Sequence, residues 1–237
     1  MTELLQFYQD TPHPCSYIDH REAQNIYPDP NKAMTNSLYS QLIAHGFRRS
    51  GNMAYRPFCQ NCQSCIPVRI NVKKFTQNRS QKRCMNRNES LTITSQPAGF
   101  SEEHFQLYCK YLSARHVGGG MDKPTKENYL NFLTSDWSDT QFIEFRDSER
   151  LVAVAVTDYI SQGLSALYTF FDPTLEKQSL GTFGILTQIK IAQSLGLRWL
   201  YLGYWIEDCK KMQYKQNFSA LETYINQEWL PLKREKL

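Results

Sequence analysis

No acidic residue occurs between Asp29 and Glu89, although the 237-residue chain has 23 of them. The first part of the chain therefore lacks a charge-balanced surface. The same stretch holds eleven basic residues: Lys32, Arg48, Arg49, Arg56, Arg69, Lys73, Lys74, Arg79, Lys82, Arg83 and Arg87. The remainder carries 16 basic against 23 acidic side chains, so the overall charge of +4 conceals two regions of opposite sign. Such asymmetry points to a polyanionic partner for the N-terminal part. A solvated basic face is the plain alternative. Arginine outnumbers lysine in the run, and its guanidinium fork matches phosphate oxygens, which moves the reading toward nucleic acid.

Other absences narrow the class. No apolar run approaches the roughly 18 residues of a membrane helix. The longest, Leu151 to Val156, suits a buried strand. The opening MTELLQFYQD has an early acid and no apolar centre, so a secretory signal is not expected. No segment is low in complexity, and the length allows one large folded domain or two small ones. The seven cysteines are odd in number and three crowd together, which speaks against a disulfide framework. A reducing, cytoplasmic setting is expected.

What is present begins with Cys59-x-x-Cys62-x-x-Cys65. This thiolate spacing suits a tetrahedral zinc site or an iron–sulfur cluster. A fourth ligand is needed; Cys15 is the first candidate, with Cys84 and His45 as alternatives. No second CxxC completes a zinc ribbon, and free thiols packed as small apolar groups remain the competing reading. Cys109 and Cys209 fall in expected helices and read as packing residues.

Periodicity gives the order of elements. Helices are expected over Asn36 to His45, closed by Gly46, and over the basic Asn78 to Asn88. Strands are expected at Met53 to Arg56 and Ile66 to Val72. Gln96-Pro97-Ala98-Gly99 reads as a boundary between a basic, cysteine-containing region (1–98) and a second domain (99–237). In the second part, helices cover Glu102 to His116 and Lys126 to Leu133, with a break at Gly118-Gly119-Gly120. Three strands follow at Gln141 to Phe145, Leu151 to Tyr159 and Ser165 to Phe171. Then come a helix (Leu180 to Ser194), a strand (Arg198 to Leu202), a helix (Ile206 to Tyr214) and a last strand (Leu221 to Ile225). The fold class is mixed α/β with a smaller α+β N-terminal region.

The C-terminal order resembles the GNAT acyltransferase fold. In that fold a helix start after the fourth strand receives a pyrophosphate through Arg/Gln-x-x-Gly-x-Gly/Ala. Here Gln178 and Gly181 match, but Phe183 stands where Gly or Ala is usual. A helix N-terminus still favours an anion, whereas ordinary coenzyme A binding is disfavoured.

Longer strings carry a second resemblance. They include Arg21-Glu22-Ala23-Gln24, Gly46-Phe47-Arg48-Arg49-Ser50-Gly51, Cys65-Ile66-Pro67-Val68-Arg69-Ile70 and Arg79-Ser80-Gln81-Lys82-Arg83. Later come Arg115-His116, Tyr168-Thr169-Phe170-Phe171-Asp172-Pro173, Tyr201-Leu202-Gly203-Tyr204-Trp205-Ile206 and Lys211-Met212-x-Tyr214-Lys215. Over almost its whole length the chain resembles the bacterial aspartate/glutamate leucyltransferases, relatives of the arginyl-tRNA–protein transferases. The resemblance implies transfer of leucine from leucyl-tRNA to proteins beginning with Asp or Glu, which marks them for degradation under the N-end rule. It also implies that Cys15, Cys59, Cys62 and Cys65 lie near one another, with no cofactor required for transfer.

Site expectations follow from that chemistry. The donor is an activated ester and the acceptor an α-amine with a pKa of about 7.7–8, so positioning and oxyanion stabilisation matter most. The fourth strand, from Tyr168 through Phe171 and including Phe170, is expected to face the acyl carbonyl. Tyr201 or Tyr204 would protonate the leaving oxygen, and Asp158 or Asp172 would take a proton from the amine. Arg48, Arg49, Arg56, Arg69 and Arg115, with His116, are candidates to read the acceptor carboxylate. Lys73, Lys74, Arg79, Lys82, Arg83, Arg87, Gln178, Gly181, Lys211 and Lys215 are the expected tRNA contacts. Competing functions are an arginyl-tRNA–protein transferase, a coenzyme A-dependent N-acetyltransferase and a non-enzymatic metal-knuckle module that binds nucleic acid.

Overall fold

The computed structural model describes residues 5–115 and 124–232. An eight-stranded mixed sheet organises the molecule. Its order is β14 (Glu228–Pro231), β13 (Leu221–Ile225), β7 (Ile66–Asn71), β12 (Trp199–Trp205), β11 (Gly163–Phe171), β10 (Arg150–Ile160), β9 (Asp139–Asp147) and β8 (Thr92–Pro97). Strands β8 and β7 precede residue 99, so the main sheet crosses the division read from the sequence. A smaller sheet, in the order β1 (Phe7–Gln9), β4 (Asn25–Pro28), β6 (Met53–Pro57) and β5 (Arg48–Ser50), lies in the N-terminal region beside the short β2–β3 pair (His13–Pro14 with Glu22–Ala23).

Strand β10 explains why the sheet is central. Nine of its eleven residues are buried, as a strand covered on both faces requires. On one face α5 (Leu180–Ser194) and α2 (Arg79–Arg87) close a core containing Val152, Phe183, Ile189 and Leu200. On the other, α3 (Glu102–Arg115) and α4 (Lys126–Leu133) pack Tyr108, Leu112 and Tyr129 against Val154 and Phe170. Helix α1 (Asn36–Ala44) makes a third cluster with Trp199 and Tyr201.

Most expected elements are present, with local physical causes. Asn78 caps α2 in a reciprocal box with Gln81. Gly46 follows α1 at φ +84°, the left-handed conformation expected of a helix stop. Two-residue loops join β9 to β10 and β10 to β11 where hairpin turns were expected. Two readings are corrected. Gln96-Pro97, read as part of a boundary, is the end of edge strand β8, whose residues are all exposed and so lack the alternation that betrays a strand. Ile206 to Tyr214 is not a helix. Its amides make turn bonds (Cys209 N–H to Ile206 O, Met212 N–H to Cys209 O), and a 3-10 turn follows at Gln213–Asn217. Glu207, Asp208, Lys210 and Lys211 give that stretch no apolar stripe to bury as a helix. Cys209 therefore sits in a turn. His116 and the Gly118–Gly120 break lie outside the described residues.

Candidate active site

The sheet opens between its two central parallel strands. Strands β11 and β12 pair only at Gly163↔Trp199, Leu164↔Leu200 and Ser165↔Tyr201, then part. A bulge lies on each side of the opening. On β11, Ala166 faces Thr157 and Tyr168 faces Val156, so Leu167 is the extra residue. On β12 the register slips between Tyr201 and Tyr204, where Gly203 takes φ +71°. The bulges turn backbone groups into the gap instead of toward a neighbouring strand.

Arg48, on β5, fills the base of the gap. Its Nη2 donates to the Leu167 carbonyl at 3.0 Å. A Cβ on Gly203 would sit 2.8 Å from its Nη1, so the glycine makes room for the guanidinium. Arg48 has no carboxylate partner among the described residues. Beside it Tyr204 is buried, and its hydroxyl donates to the carbonyls of Gly46 (3.1 Å) and Tyr55 (3.3 Å). Lys215, only 5% exposed, donates from Nζ to the Tyr204 carbonyl. Burial, reinforced by the Arg48 cation, pulls the Lys215 ammonium down to about 7. Tyrosines ring the gap. Tyr214 is partly exposed, with Tyr111 and Arg48 close enough to act on its hydroxyl. Burial raises Tyr17, which feels Arg48, Tyr55, Cys65 and Cys209.

The other expected carboxylate readers have different surroundings. Arg49 is wholly buried, 2.5 Å from the equally buried Asp158, and also donates to Thr140 Oγ1 and the Leu133 carbonyl. Neither partner of that pair reaches the surface, so the pair ties β5 to β10 rather than facing a substrate. Arg69 lies over the rings of Trp199 and Trp229 and pairs with Glu222 at 2.9 Å. Tyr201 lies within this stack, its hydroxyl 3.5 Å from Arg69 Nη1. Arg56 donates to the His45 carbonyl and rests on Phe47. Arg115 is exposed, 3.6 Å from Glu176. Asp172 is buried; burial works against its ionisation, but Lys110, Thr174 and Arg150 hold its carboxyl far below the usual range. It caps the turn after β11 and is not free to act as a base. Phe170 is a core residue, and Tyr168 is half-buried against Tyr108, Tyr111 and Phe132.

The basic residues are arranged around a second feature. Arg79, Lys82, Arg83 and Arg87 are exposed on α2, while Gln81 and Cys84 face inward. Asn88 and Cys84 bond the Gln178 carbonyl, and Arg87 bonds the Lys177 carbonyl, so the basic helix is fastened to the loop before α5. Gly181 in the first turn lies against Phe171, and Phe183 points into the core against Phe145. Lys73 and Lys74 are exposed after β7, and Lys211 is exposed after β12.

Cys15, Cys59, Cys62 and Cys65 line one pocket with Tyr17 and Tyr55, and every cysteine is a free thiol. Burial raises the Cys65 thiol to about 12, with Cys59, Cys15 and Cys62 adding to the effect. Ser64 and Arg21 lower Cys62. Among the described residues no group of three or more His, Cys, Asp or Glu side chains is arranged to hold a metal ion. Cys84 and His45 do not line this pocket. Sequence reasoning missed the Leu167 carbonyl, Gly203 and the surrounding Tyr17, Tyr55 and Tyr111. A glycine inside the strand pattern Tyr201-Leu202-Gly203-Tyr204 was the available signal for a bulge.

The chain with this opened mixed α/β sheet falls in the transferase class by its similarity to known proteins. Family models agree: that for the C terminus of arginine-tRNA-protein transferase matches residues 103–225, and that for its N terminus matches residues 13–83. The chain belongs to the aspartate/glutamate leucyltransferase family. It is 48% identical to the aspartate/glutamate leucyltransferase of Saccharophagus degradans over 97% of this chain and 99% of that one. The Pseudomonas fluorescens counterpart is 48% identical over 98% of this chain and all of the other. Among solved structures, L-PGS from Bacillus licheniformis aligns with a TM-score of 0.46 at 15% identity, covering 60% of this chain and 46% of that one.

Proposed function

We propose that this protein transfers leucine from leucyl-tRNA to the N-terminal amine of proteins beginning with Asp or Glu. The product would then begin with leucine, a mark for proteolysis under the N-end rule. The observation that carries the reading is Arg48: a half-buried guanidinium at the base of an opened sheet, with no acid of its own. An anionic acceptor side chain supplies the missing partner in bidentate form. Arg49 and Arg69 already have carboxylates, so Arg48 is the reader we favour.

The division into a basic N-terminal region and an acyltransferase part, with β7 and β8 of the first completing the main sheet of the second, and the GNAT-like reading of the second part belong to this proposal. The parted parallel strands and the bulge at Leu167 support the latter. The β11 backbone and Tyr168 face the leucyl ester, and the exposed basic face of α2 with Lys73, Lys74 and Lys211 receives tRNA phosphates. Phe183 is buried in the core and does not itself block the start of α5, so the preference for an aminoacyl-tRNA donor over coenzyme A rests on the basic face of α2 and on the family. The four thiols on this pocket, Cys15, Cys59, Cys62 and Cys65, have the donor chemistry for zinc or an iron–sulfur cluster, but would have to draw together from their present arrangement to hold it. Its role there would be to brace the N-terminal loops, and transfer itself requires none. No helix of the described residues is long and apolar enough to cross a membrane; a cytoplasmic location follows from the proposed tRNA donor.

The test is transfer of radiolabelled leucine from tRNA to a peptide starting with Glu, run beside arginyl-tRNA and a peptide starting with Gln. Labelling confined to the leucyl donor and the Glu peptide is expected. Equal labelling of the Gln peptide would overturn the Arg48 assignment, and labelling only by arginine would overturn the donor.

A further inference from the structure

Lys215 was expected to clamp the tRNA, yet it is among the least exposed charged side chains of the protein. Its Nζ turns inward to the Tyr204 carbonyl at the rim of the gap. Among the described residues no carboxylate lies within ion-pair distance of it. Within electrostatic reach of it are the Arg48 cation from β5 and the Cys209 thiol from the turn after β12, and the Tyr214 ring centroid lies 6.0 Å away. A buried ammonium held near another cation, with no anion, is expensive unless it can lose its proton. A lysine whose only need were structural would be better served by an acid partner or by replacement with methionine.

We infer that Lys215 is the proton-transfer residue of the reaction, acting as a neutral amine on the attacking α-amine and then as an acid toward the tRNA ribose. The inference rests on the aminoacyl-transfer reading above. The acceptor nitrogen attacks the leucyl carbonyl carbon; the C–N bond forms as the carbonyl π electrons move to oxygen. The nitrogen's extra proton passes to the Lys215 Nζ. When the carbonyl re-forms, the ester C–O bond breaks and the ribose oxygen takes that proton back. Protons and electrons balance without a co-reactant, and Lys215 ends neutral as it began. Its lowered affinity for protons suits a group that must both accept and donate near neutral pH. The Tyr204 carbonyl aims the amine, and Tyr204 is itself fixed by its bonds to Gly46 and Tyr55.

The test compares wild type with Lys215→Arg and Lys215→Ala, using leucyl-tRNA and a peptide starting with Glu across pH 5.5–9. Lys215→Arg keeps a cation that can donate to the Tyr204 carbonyl but cannot surrender its proton. It is expected to lose about 100-fold or more in kcat with little change in KM, and to lose the kcat limb near pH 7. In Lys215→Ala, added small primary amines are expected to restore part of the rate, more for amines whose pKa lies closer to the working pH. Circular dichroism and thermal melts identify folded preparations of each variant. Retention of kcat within threefold and of the pH limb by folded Lys215→Arg would overturn the inference, as would folded Lys215→Ala that ignores every amine. Wild type transferring no leucine at all would instead defeat the functional reading itself, so the two failures are distinguishable.

Discussion

Arg48 donates from Nη2 to the carbonyl of Leu167, the one residue that bulges from β11 where the central strands part. An arginine from the smaller N-terminal sheet thus completes a gap formed by two strands of the larger one. The bond spans 119 positions of sequence. It also explains Gly203 across the gap, because any Cβ there would press on the same guanidinium.

Gly203→Ala is therefore expected to affect chemistry more than folding. Its positive φ costs a non-glycine residue about 1 kcal/mol, which in a chain of this size lowers Tm by roughly 2–4 °C. Displacement of Arg48 should raise KM for Glu-starting peptides at least tenfold while leaving KM for leucyl-tRNA within twofold. Steady-state kinetics with each substrate varied, beside a thermal melt, measures both effects.

Asp158→Asn should act on stability. It leaves Arg49 buried without its anion, a loss of about 3–5 kcal/mol. Tm should fall by roughly 10 °C. Differential scanning calorimetry checks this, and a fall under 2 °C would contradict the buried-pair assignment.

The basic face of α2 should set the salt dependence. Replacing Arg79, Lys82 and Arg83 with Ala should flatten the slope of log K against log salt for tRNA binding by roughly two units, at about 0.7 for each phosphate no longer neutralised. Filter binding between low and moderate salt measures the slope. The substituted side chains are exposed, so the melting temperature should move little.

Lys215 gives a pH signature in stability. Its folded pKa lies near 7 and its unfolded value near 10.4, so between them the unfolded chain binds the extra proton. Wild-type stability then rises with pH through that window. Lys215→Met lacks this dependence, and its Tm minus that of wild type should fall steadily from pH 7 to pH 10. A constant difference would show that burial does not depress the ammonium.

Much of this fold is readable locally. Asn78 with Gln81 announces the start of α2, Gly46 the end of α1, and the run through β10 a strand covered on both faces. The 206–214 segment is misread as a helix although Glu207, Asp208, Lys210 and Lys211 leave it no apolar stripe, and its amides close turns instead. Edge strand β8 is silent, since a strand exposed on both faces leaves no hydrophobic alternation.

The sequence by itself determined the order of most helices and of the strands from β9 to β13, the concentration of positive charge in the first part of the chain, the cysteine spacing and the kinship with aminoacyl transfer. These are properties of neighbours, fixed by periodicity, capping and composition. Only the tertiary structure decided which of five similar arginines faces the gap. Arg48 and Arg49 are adjacent, yet alternation along β5 sends one to the opened strands and the other to Asp158. Burial, a sum over residues far apart in the chain, separates the cation that holds the sheet together from the one left to meet a substrate.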